Sequence, residues 1–401
     1  MDAYILTKLQ QQSDLLVQKT ALTHKRFLLG TIAWQWRCIG IKGPRGAGKT
    51  TLLLQQLKES ATARKSIYLS LDDLHFKRFS LRDTVEAFRL NGLTHFYLDE
   101  VHKYSGWSQE IKNLYDFYSD MHLVFTGSSL IELHRQEVDL SRRAVMYDLP
   151  GLSFREYLSF LNVIDFQAVT LEELLAAHRD IAVQVANSIR PIEHFQKYLR
   201  EGYYPFFLED AQLTGVRIRQ IVNLILHLDL PSADGAPAIQ TQKVGRLLQL
   251  IADSTPFKPN FANIARSIGI DRDTIARYLG HLQRAQLISM VYSEAQSLGG
   301  LQRPEKIYLD NSNLCYAISS TQPDAGGLRE TFFQNQMRIK HQLTYPLNGD
   351  FLVDDRYTFE VGGRGKNKRQ IVQTPHRFLA LDDLESGNGQ HIPLWLFGFM
   401  Y

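Results

Sequence analysis

Residues 43–50 are Gly43-Pro44-Arg45-Gly46-Ala47-Gly48-Lys49-Thr50, a match to the pattern G-x-x-x-x-G-K-[ST]. An apolar run over 38–41 precedes the motif, and a helix-like stretch over 51–57 follows it. A phosphate-binding loop needs a strand to deliver it and a helix N-terminus to receive the anion. Because both are present, the sequence predicts such a loop rather than an ordinary glycine-rich turn.

Each residue type in this loop has a physical task. Glycines permit positive φ and close backbone approach, so successive N–H groups can converge on phosphate oxygens. Lys49 is expected to reach the β- and γ-phosphates, and the Thr50 hydroxyl to hold Mg²⁺. ATP and Mg²⁺ are therefore the predicted ligands. The predicted nucleotide-binding residues are Gly43, Pro44, Arg45, Gly46, Ala47, Gly48, Lys49, Thr50 and Thr51.

A second apolar run, 95–98, ends in the carboxylates Asp99 and Glu100. This is typical of a Walker B strand, in which Asp99 would bind Mg²⁺ and Glu100 would act as the catalytic base that polarises the attacking water. The alternative is a strand exit with two solvated acids. The spacing from the phosphate-binding loop favours the Walker B interpretation.

Hydroxyl groups follow a third apolar run, 121–125, at Thr126 and Ser128. In an open parallel sheet, ligands bind at the carboxyl ends of the strands. Thr126 or Ser128 is thus expected to contact the γ-phosphate or the lytic water, in the role called sensor 1. A plain Thr-Gly-Ser turn after the strand is the alternative interpretation.

Apolar strands alternate with helix-like segments over the first 150 residues, at 38–42, 66–71, 95–99, 121–126 and 145–149. This alternation predicts an α/β fold with a parallel sheet and helices on both faces. The strand of Asp99 should be separated from the strand of the phosphate-binding loop by one intervening strand, as in ASCE-type ATPases.

Two arginines, Arg142 and Arg143, follow the predicted sensor strand. Arg143 could project toward the γ-phosphate bound by a neighbouring subunit and stabilise transition-state charge. The alternative is an exposed surface pair.

Taken together, these motifs resemble a prokaryotic family of AAA+ ATPases whose members carry a C-terminal domain of unknown function. The resemblance implies ATP binding and hydrolysis to ADP and phosphate, and it covers nearly the whole chain. By motif position Arg143 matches an arginine that family members carry after a glycine, although Ser141-Arg142 stands here instead. The similar segments are Gly43–Thr50, Asp99–Lys103 with Trp107, Thr126–Ser129, Leu152–Tyr157, Tyr198–Pro205 and Lys306–Asp310.

The length predicts several domains, because a single core rarely exceeds about 250 residues. We expect an ATPase core at 1–160, a helical lid at 161–235, a winged helix at 236–300 and a small α+β domain at 301–401, nuclease-like in fold but inactive. Two cysteines exclude a disulfide framework, and Met1-Asp2-Ala3-Tyr4 lacks a secretory start. No apolar run is long enough for a membrane span, so a cytoplasmic protein is expected.

A helix-turn-helix pattern occupies 261–279, with a glycine turn and an Asp-capped second helix. Arg272, Thr274 and Arg277 are the candidate DNA contacts on that helix. The net charge of +3 does not itself argue for nucleic acid, and the module could instead pack against or bind protein.

The last predicted domain carries Glu330, Asp350 and Glu360, acids that resemble the metal-binding half of restriction-endonuclease-like folds. Such sites place a lysine two residues after the last acid, where this chain has Gly362. Lys366, Lys368 and Gln370 lie nearby in sequence. The pattern favours an inactive nuclease-like domain.

Three functions remain open from the sequence. The first is an ATP-driven switch in which nucleotide state repositions the downstream domains. The second is a DNA-binding regulator that uses ATP only as a structural ligand, and the third is an ATP-dependent nuclease. The predicted partners are ATP and, depending on the function, DNA, an unidentified protein or further copies of the chain, with no membrane.

Overall fold

The computed structural model describes residues 1–127, 140, 142–231, 240–293, 303–365 and 376–401. By its internal contacts the chain divides into two compact units, Met1–Gly151 and Leu152–Tyr401. Within the described ranges, no helix has the length and apolar character needed to cross a bilayer.

The first unit is built on a five-stranded sheet in which every pair is parallel. The strand order is β2-β3-β4-β1-β5, so β4 separates the strand of Asp99 from the strand of the phosphate-binding loop, as predicted. The five predicted strands are confirmed to within a residue at each end. The elements are α1 (Ala3–Lys19), α2 (Phe27–Thr31), β1 (Cys38–Lys42), α3 (Lys49–Glu59), β2 (Ser66–Ser70), α4 (Leu81–Leu90), β3 (His95–Asp99), α5 (Trp107–Phe117), β4 (His122–Gly127) and β5 (Val145–Asp148).

Helices cover both faces of this sheet, which explains why its strands are apolar at nearly every position. Alternate residues of β3 enter different cores. Phe96 and Leu98 pack in a cluster with residues of α4 and α5, whereas Tyr97 packs in a cluster with residues of α3. The predicted α/β fold with helices on both faces is therefore confirmed.

Helix α1 covers the free edge of the sheet at β2. The backbone N–H of Tyr68 points away from β3 and donates a 3.0 Å hydrogen bond to Ser13 Oγ of α1. An edge strand otherwise presents unpaired backbone groups, so this contact satisfies a donor and fixes the position of β2.

The second unit combines helices with two small sheets. A five-stranded sheet has the order β12-β11-β10-β9-β8, antiparallel from β8 to β10 and parallel from β10 to β12. The predicted α+β character of the C-terminal end is confirmed, whereas its bounds at 301–401 stay a prediction. The elements are α6 (Phe154–Phe160), α7 (Leu171–Ala186), α8 (Pro191–Lys197), α9 (Thr214–Leu224), α10 (Thr241–Ala252), α11 (Phe261–Ile268), α12 (Arg272–Arg284), β6 (Ile288–Val291), β7 (Lys306–Leu309), α13 (Ser312–Ile318), α14 (Ala325–Met337), β8 (Leu343–Thr344), β9 (Phe351–Val353), β10 (Tyr357–Gly362), β11 (Arg377–Leu381) and β12 (His391–Pro393).

Helices α7 and α8 of the predicted lid share one hydrophobic core with the C-terminal sheet, and so does α6, which the sequence assigns to the ATPase core. Phe154 of α6 contacts the rings of Trp395 and Phe399, and Phe195 of α8 lies 4.7 Å from the ring of Phe332 on α14. Residues 152–401 form one compact unit by their internal contacts, and the domain boundaries predicted at 160/161, 235/236 and 300/301 lie within it and stay a prediction. The apolar face of a helix indicates that the helix packs against something, but it does not identify the element against which the helix packs.

Three helices and a two-stranded antiparallel sheet occupy 241–309. Gly269 takes φ 71° at the end of α11, and the Asp271 side chain caps α12 by accepting from the Thr274 N–H. Phe257 forms an isolated antiparallel bridge with Ile307 of β7. The turn and the cap lie where the sequence predicts them.

Candidate active site

The phosphate-binding loop connects β1 to α3 and requires glycine for two different reasons. Gly46 and Gly48 have φ of 81° and 93°, in the left-handed region that favours glycine. Gly43 is close to β5, and a Cβ at this position would lie 2.1 Å from the carbonyl oxygen of Leu149. The loop therefore tolerates no side chain at these three positions.

Lys49, the first residue of α3, is buried within the loop. Its Nζ donates hydrogen bonds to the carbonyl oxygens of Gly43 and Pro44, each 2.8 Å away. Burial lowers the pKa of Lys49 to about 8, against the opposing effects of Glu100 and Asp99 and in the same direction as nearby Arg45. The ammonium thus lies buried beside the loop, where a bound anion would stabilise its charged form.

Asp99 ends β3, is buried, and accepts hydrogen bonds from three hydroxyl groups. Thr50 Oγ1 lies 2.6 Å and Tyr68 Oη 2.8 Å from Asp99 Oδ2, while Thr126 Oγ1 donates to Oδ1. The structure thus brings together residues from the predicted loop, Walker B strand and sensor strand. A carboxylate and a hydroxyl oxygen form a donor set that fits a hard cation such as Mg²⁺, with phosphate oxygens completing the coordination.

Glu100 follows Asp99 in a left-handed backbone conformation, with φ 52°. Its Oε2 lies 3.5 Å from Nε2 of His102, and about a fifth of its side chain is exposed, whereas the His102 side chain is buried. A non-glycine residue in this conformation stores strain, which recurs at active sites. The turn directs Glu100 out of β3 at the edge of the sheet where the loop lies.

Arg143 lies at the opposite end of the sheet. It precedes the first residue of β5, and the parallel register pairs Ile39 with Val145 and Lys42 with Asp148. The four residues of β5 separate it from the end of the sheet where the loop lies. Its guanidinium forms two 2.8 Å hydrogen bonds with Asp116, so within its own chain Arg143 does not reach the loop.

Two residues at this site carry no motif and were not predicted. Tyr68 contacts Asp99 as described, and Arg26 lies buried behind the loop. Arg26 Nη1 donates to the Ala47 carbonyl at 2.5 Å, and Nη2 donates to the Pro150 and Gly151 carbonyls at 2.8 and 2.9 Å. Arg26 therefore ties the loop to the chain that leaves β5. Ser128, the other predicted sensor residue, lies outside the described residues.

The candidate DNA contacts lie on α12 of the second unit. Arg272 is exposed, but the hydroxyl of Thr274 donates to Asp271 Oδ2 at 2.8 Å. Arg277 is half-buried, and its Nη2 donates to Thr274 Oγ1 at 3.3 Å. Only Arg272 of the three is both exposed and uninvolved in this local network.

Two of the three predicted acids, Glu330 on α14 and Asp350 before β9, are joined by a lysine that the sequence pattern did not indicate. Lys306 Nζ lies 2.8 Å from Glu330 Oε2 and 3.3 Å from Asp350 Oδ1, and Tyr308 donates to the same Glu330 oxygen. Glu360 is buried on β10. In the part of the chain that the structure describes, no group of three His, Cys, Asp or Glu side chains could hold a metal ion. Lys366, Lys368 and Gln370 lie outside the described residues.

The order of the strands and the loop define the first unit as a P-loop domain of the ASCE type. A family model for an AAA domain matches residues 35–158, and one for a domain of unknown function (DUF8612) matches residues 192–325. Residues 35–158 are thus similar to AAA domains, in agreement with the resemblance seen in the sequence.

The chain is also similar to individual proteins. An uncharacterized protein of Methanocaldococcus jannaschii is 28% identical over 280 residues, which cover 66% of this chain and 59% of that protein. The match thus spans about three-fifths of its relative's length. Two solved structures are similar: the Walker-type ATPase of Pyrococcus abyssi (12% identity, 79% of this chain and 95% of that chain, TM-score 0.38) and AMPPCP-bound DnaA from Aquifex aeolicus (16% identity, 69% and 88%, TM-score 0.27).

Proposed function

We propose that this chain binds and hydrolyses ATP and acts as a nucleotide-driven switch. The observation that carries the proposal is the convergence on Asp99, whose carboxylate accepts from Thr50 of the loop helix and Thr126 of the neighbouring strand. Glu100 follows at the same edge of the sheet. This arrangement supports assigning the phosphate, metal, base and sensor roles of an ATP-hydrolysing site to these residues.

In this proposal the loop binds the β- and γ-phosphates through its backbone N–H groups and the ammonium of Lys49. Lys49 exchanges its two carbonyl partners for phosphate oxygens. Thr50 and Asp99 would hold Mg²⁺, which when bound neutralises charge on the β- and γ-phosphates. Glu100 accepts a proton from the attacking water, and Thr126 orients Asp99 through its hydrogen bond.

Arg143 is the one proposed catalytic residue that would act on the nucleotide of another copy of the chain. Because Arg143 lies away from its own loop, any contribution to charge stabilisation would require a neighbouring copy. Release of Arg143 from Asp116 would then accompany assembly. Mixing Arg143→Ala with Lys49→Ala protein tests this directly: activity recovered in the mixture supports a finger acting between copies, and activity no greater than in either variant alone argues against it.

Nucleotide binding by the loop is tested by Lys49→Ala. We expect at least a hundredfold loss of affinity for ATP, because a charge-assisted contact to phosphate and the buried cation are both removed. Lys58→Ala is the matched control, since Lys58 lies on the same helix and donates to the Gln18 and Thr20 carbonyls instead. Equal affinities in both variants would contradict the proposed site.

The switch requires the second unit to respond to nucleotide. We propose that residues 161–235 act as a helical lid and that 236–300 form a winged helix, whose strand β6 pairs with β7 just beyond that range. Closure of a lid over a bound ligand is a common way to transmit nucleotide state. Hydrogen exchange measured with ATP and with ADP tests the coupling: altered protection in 152–401 supports it, and changes limited to 1–151 contradict it.

A DNA-binding regulator is the second candidate, and the helix-turn-helix order of α11 and α12 favours it. Arg272 is the exposed basic residue at the start of the second helix, where base contacts are usual. Arg272→Ala should weaken duplex binding and flatten its salt dependence, whereas Arg246→Ala, at an exposed position of α10, should not. A gel-mobility shift of duplex DNA that is the same with and without nucleotide would favour this candidate over the switch. The absence of any shift at low salt would exclude it.

The nuclease candidate is weakened by Lys306, whose ammonium pairs with both Glu330 and Asp350 where a metal ion would be held. We propose that the C-terminal sheet is inactive as a nuclease. Metal-dependent DNA cleavage by the wild type that is lost in Asp350→Ala would overturn this.

A further inference from the structure

Tyr68 is the third donor to Asp99 and belongs to no recognised motif. We propose that Tyr68 is a positioning residue of the metal site, whose phenol holds the Asp99 carboxylate in the orientation that Mg²⁺ binding requires. The inference rests on the proposed function, because it assigns a role relative to the metal that Thr50 and Asp99 would hold.

The register of the sheet explains how Tyr68 reaches Asp99. In the parallel pair of β2 and β3, Tyr68 is opposite Tyr97 and Ser70 is opposite Asp99. The phenol therefore runs along the sheet toward the carboxyl ends of the strands, and its oxygen lies 2.8 Å from Asp99 Oδ2. The Tyr68 side chain thus extends from the edge strand β2 to the buried carboxylate of Asp99.

The three hydroxyl groups donate their hydrogen bonds to different oxygens of the Asp99 carboxylate. Thr50 and Tyr68 both donate to Oδ2, whereas Thr126 donates to Oδ1. If the Thr50 hydroxyl turns to ligate a cation, Oδ2 keeps Tyr68 and Oδ1 keeps Thr126. Both oxygens then stay anchored, so the carboxylate does not rotate when the Thr50 contact is exchanged.

Tyr68 is suited to this task by its rigidity. Its backbone N–H is fixed by Ser13 of α1, and its ring packs in the core beside α3. A preorganised donor of this kind costs little reorganisation when the ligand arrives.

Tyr97 provides a matched control on the neighbouring strand. It is buried in the same cluster and lies opposite Tyr68 in the register. Burial raises the pKa of Tyr97 to about 12, and its hydroxyl interacts with Gln56 and Ser60 rather than with Asp99. Tyr97→Phe therefore removes the same atom from the same core without touching the metal site.

The test measures equilibrium binding of a fluorescent ATP analogue to the full chain as Mg²⁺ is titrated, and again in EDTA. We expect Tyr68→Phe to raise the Mg²⁺ concentration for half-maximal enhancement about tenfold, the effect of losing one hydrogen bond to a charged group. Binding in EDTA should change by less than about twofold, and Tyr97→Phe should leave both quantities unchanged.

Several outcomes would overturn the proposal. These are an unchanged Mg²⁺ midpoint in Tyr68→Phe, the same shift in both variants, or an equal loss of EDTA binding, which would indicate a structural role. Thermal unfolding of both variants is measured alongside, and loss of the cooperative transition in Tyr68→Phe alone would also favour a structural role. Wild-type binding that ignores Mg²⁺, or no binding at all, would instead refute the proposed metal and nucleotide site itself.

Discussion

Thr50 Oγ1 donates a 2.6 Å hydrogen bond to Asp99 Oδ2, which joins the helix of the phosphate-binding loop to the end of β3. The two residues are 49 positions apart in sequence. Both carry oxygen atoms of the kind that coordinate hard cations. The contact places a loop hydroxyl and a strand carboxylate at one point. It is the physical basis for the proposed metal dependence.

Replacing Thr50 by Val removes this hydroxyl and preserves the shape of the side chain. We expect Mg²⁺ to stop strengthening ATP binding in Thr50→Val, while metal-free binding stays within about threefold, because the backbone N–H groups that contact phosphate are retained. Thr7→Val is the control, because Thr7 is exposed on α1 and its hydroxyl donates to the Ala3 carbonyl. Titration of a fluorescent nucleotide with and without Mg²⁺ measures both, and full Mg²⁺ enhancement in Thr50→Val would argue against Thr50 as a ligand.

The lowered pKa of Lys49 predicts that nucleotide affinity depends on pH. Burial brings this pKa to about 8, and phosphate should raise it again because an anion stabilises the ammonium. Below pH 8 the lysine is charged in both states, so affinity for ADP in EDTA should be constant. Above pH 8 binding must take up a proton, and affinity should fall by up to about tenfold per pH unit.

Calorimetry in two buffers of different ionisation enthalpy measures this proton uptake. Lys49→Arg is the control, since a guanidinium stays protonated throughout the range. Affinity for ADP that stays level in the wild type between pH 7.5 and 9.5 would show that Lys49 does not titrate in the way its burial implies.

Arg26 should contribute to both stability and binding, because its guanidinium holds three carbonyl oxygens behind the loop. Arg26→Ala is expected to lower the free energy of unfolding of the first unit by about 3 kcal/mol and to weaken ATP binding, since it leaves buried acceptors unpaired. Arg26→Lys should recover little, because an ammonium cannot span the three positions.

The adjacent Lys25 offers a control, since it is exposed and pairs with Glu59 at 2.6 Å. Lys25→Ala should cost less than about 1 kcal/mol. Denaturant unfolding of the three variants makes the comparison, and similar losses for Arg26→Ala and Lys25→Ala would contradict the assigned role.

The two cysteines should report separately on the two units. Cys38 lies on β1 and Cys315 on α13; both are buried, and burial raises the pKa of each thiol to about 12. Neither should react in the native protein at pH 8 except through opening. ATP at a hundred times its Kd should slow labelling of Cys38 by up to about a hundredfold and that of Cys315 less.

Single-cysteine variants, Cys315→Ala and Cys38→Ala, assign each labelling rate. Labelling of Cys38 at the rate of a free thiol, or a nucleotide effect confined to Cys315, would show that the loop strand is not stabilised by the ligand.

Sequence reasoning predicted the first unit well because its determinants are local. A glycine-rich loop, apolar strands and acids at a strand end each occupy a few consecutive residues, and the parallel topology then brings Lys49, Thr50, Asp99 and Thr126 together. The role of each residue in binding and catalysis stays a prediction until the variants are measured.

The residues that were missed act over long sequence separations. Tyr68 and Arg26 contact the loop and its partners through side chains whose spacing fits no motif, and an apolar strand with one tyrosine does not show where the phenol points. Lys306 reaches Asp350 across 44 residues, whereas the pattern directed attention to Gly362. For the same reason the apolar faces of α6 to α8 did not reveal that they pack with the C-terminal sheet.

The most direct test of ATP hydrolysis at this site is the steady-state ATPase rate of wild type and Glu100→Gln at saturating Mg²⁺ and ATP, with affinity measured on the same samples. Gln keeps the size of the side chain but cannot accept a proton. We predict similar ATP affinity and a turnover at least a hundredfold lower in Glu100→Gln. Equal turnover in the two proteins would contradict the role of Glu100 and, with it, the proposed hydrolytic switch.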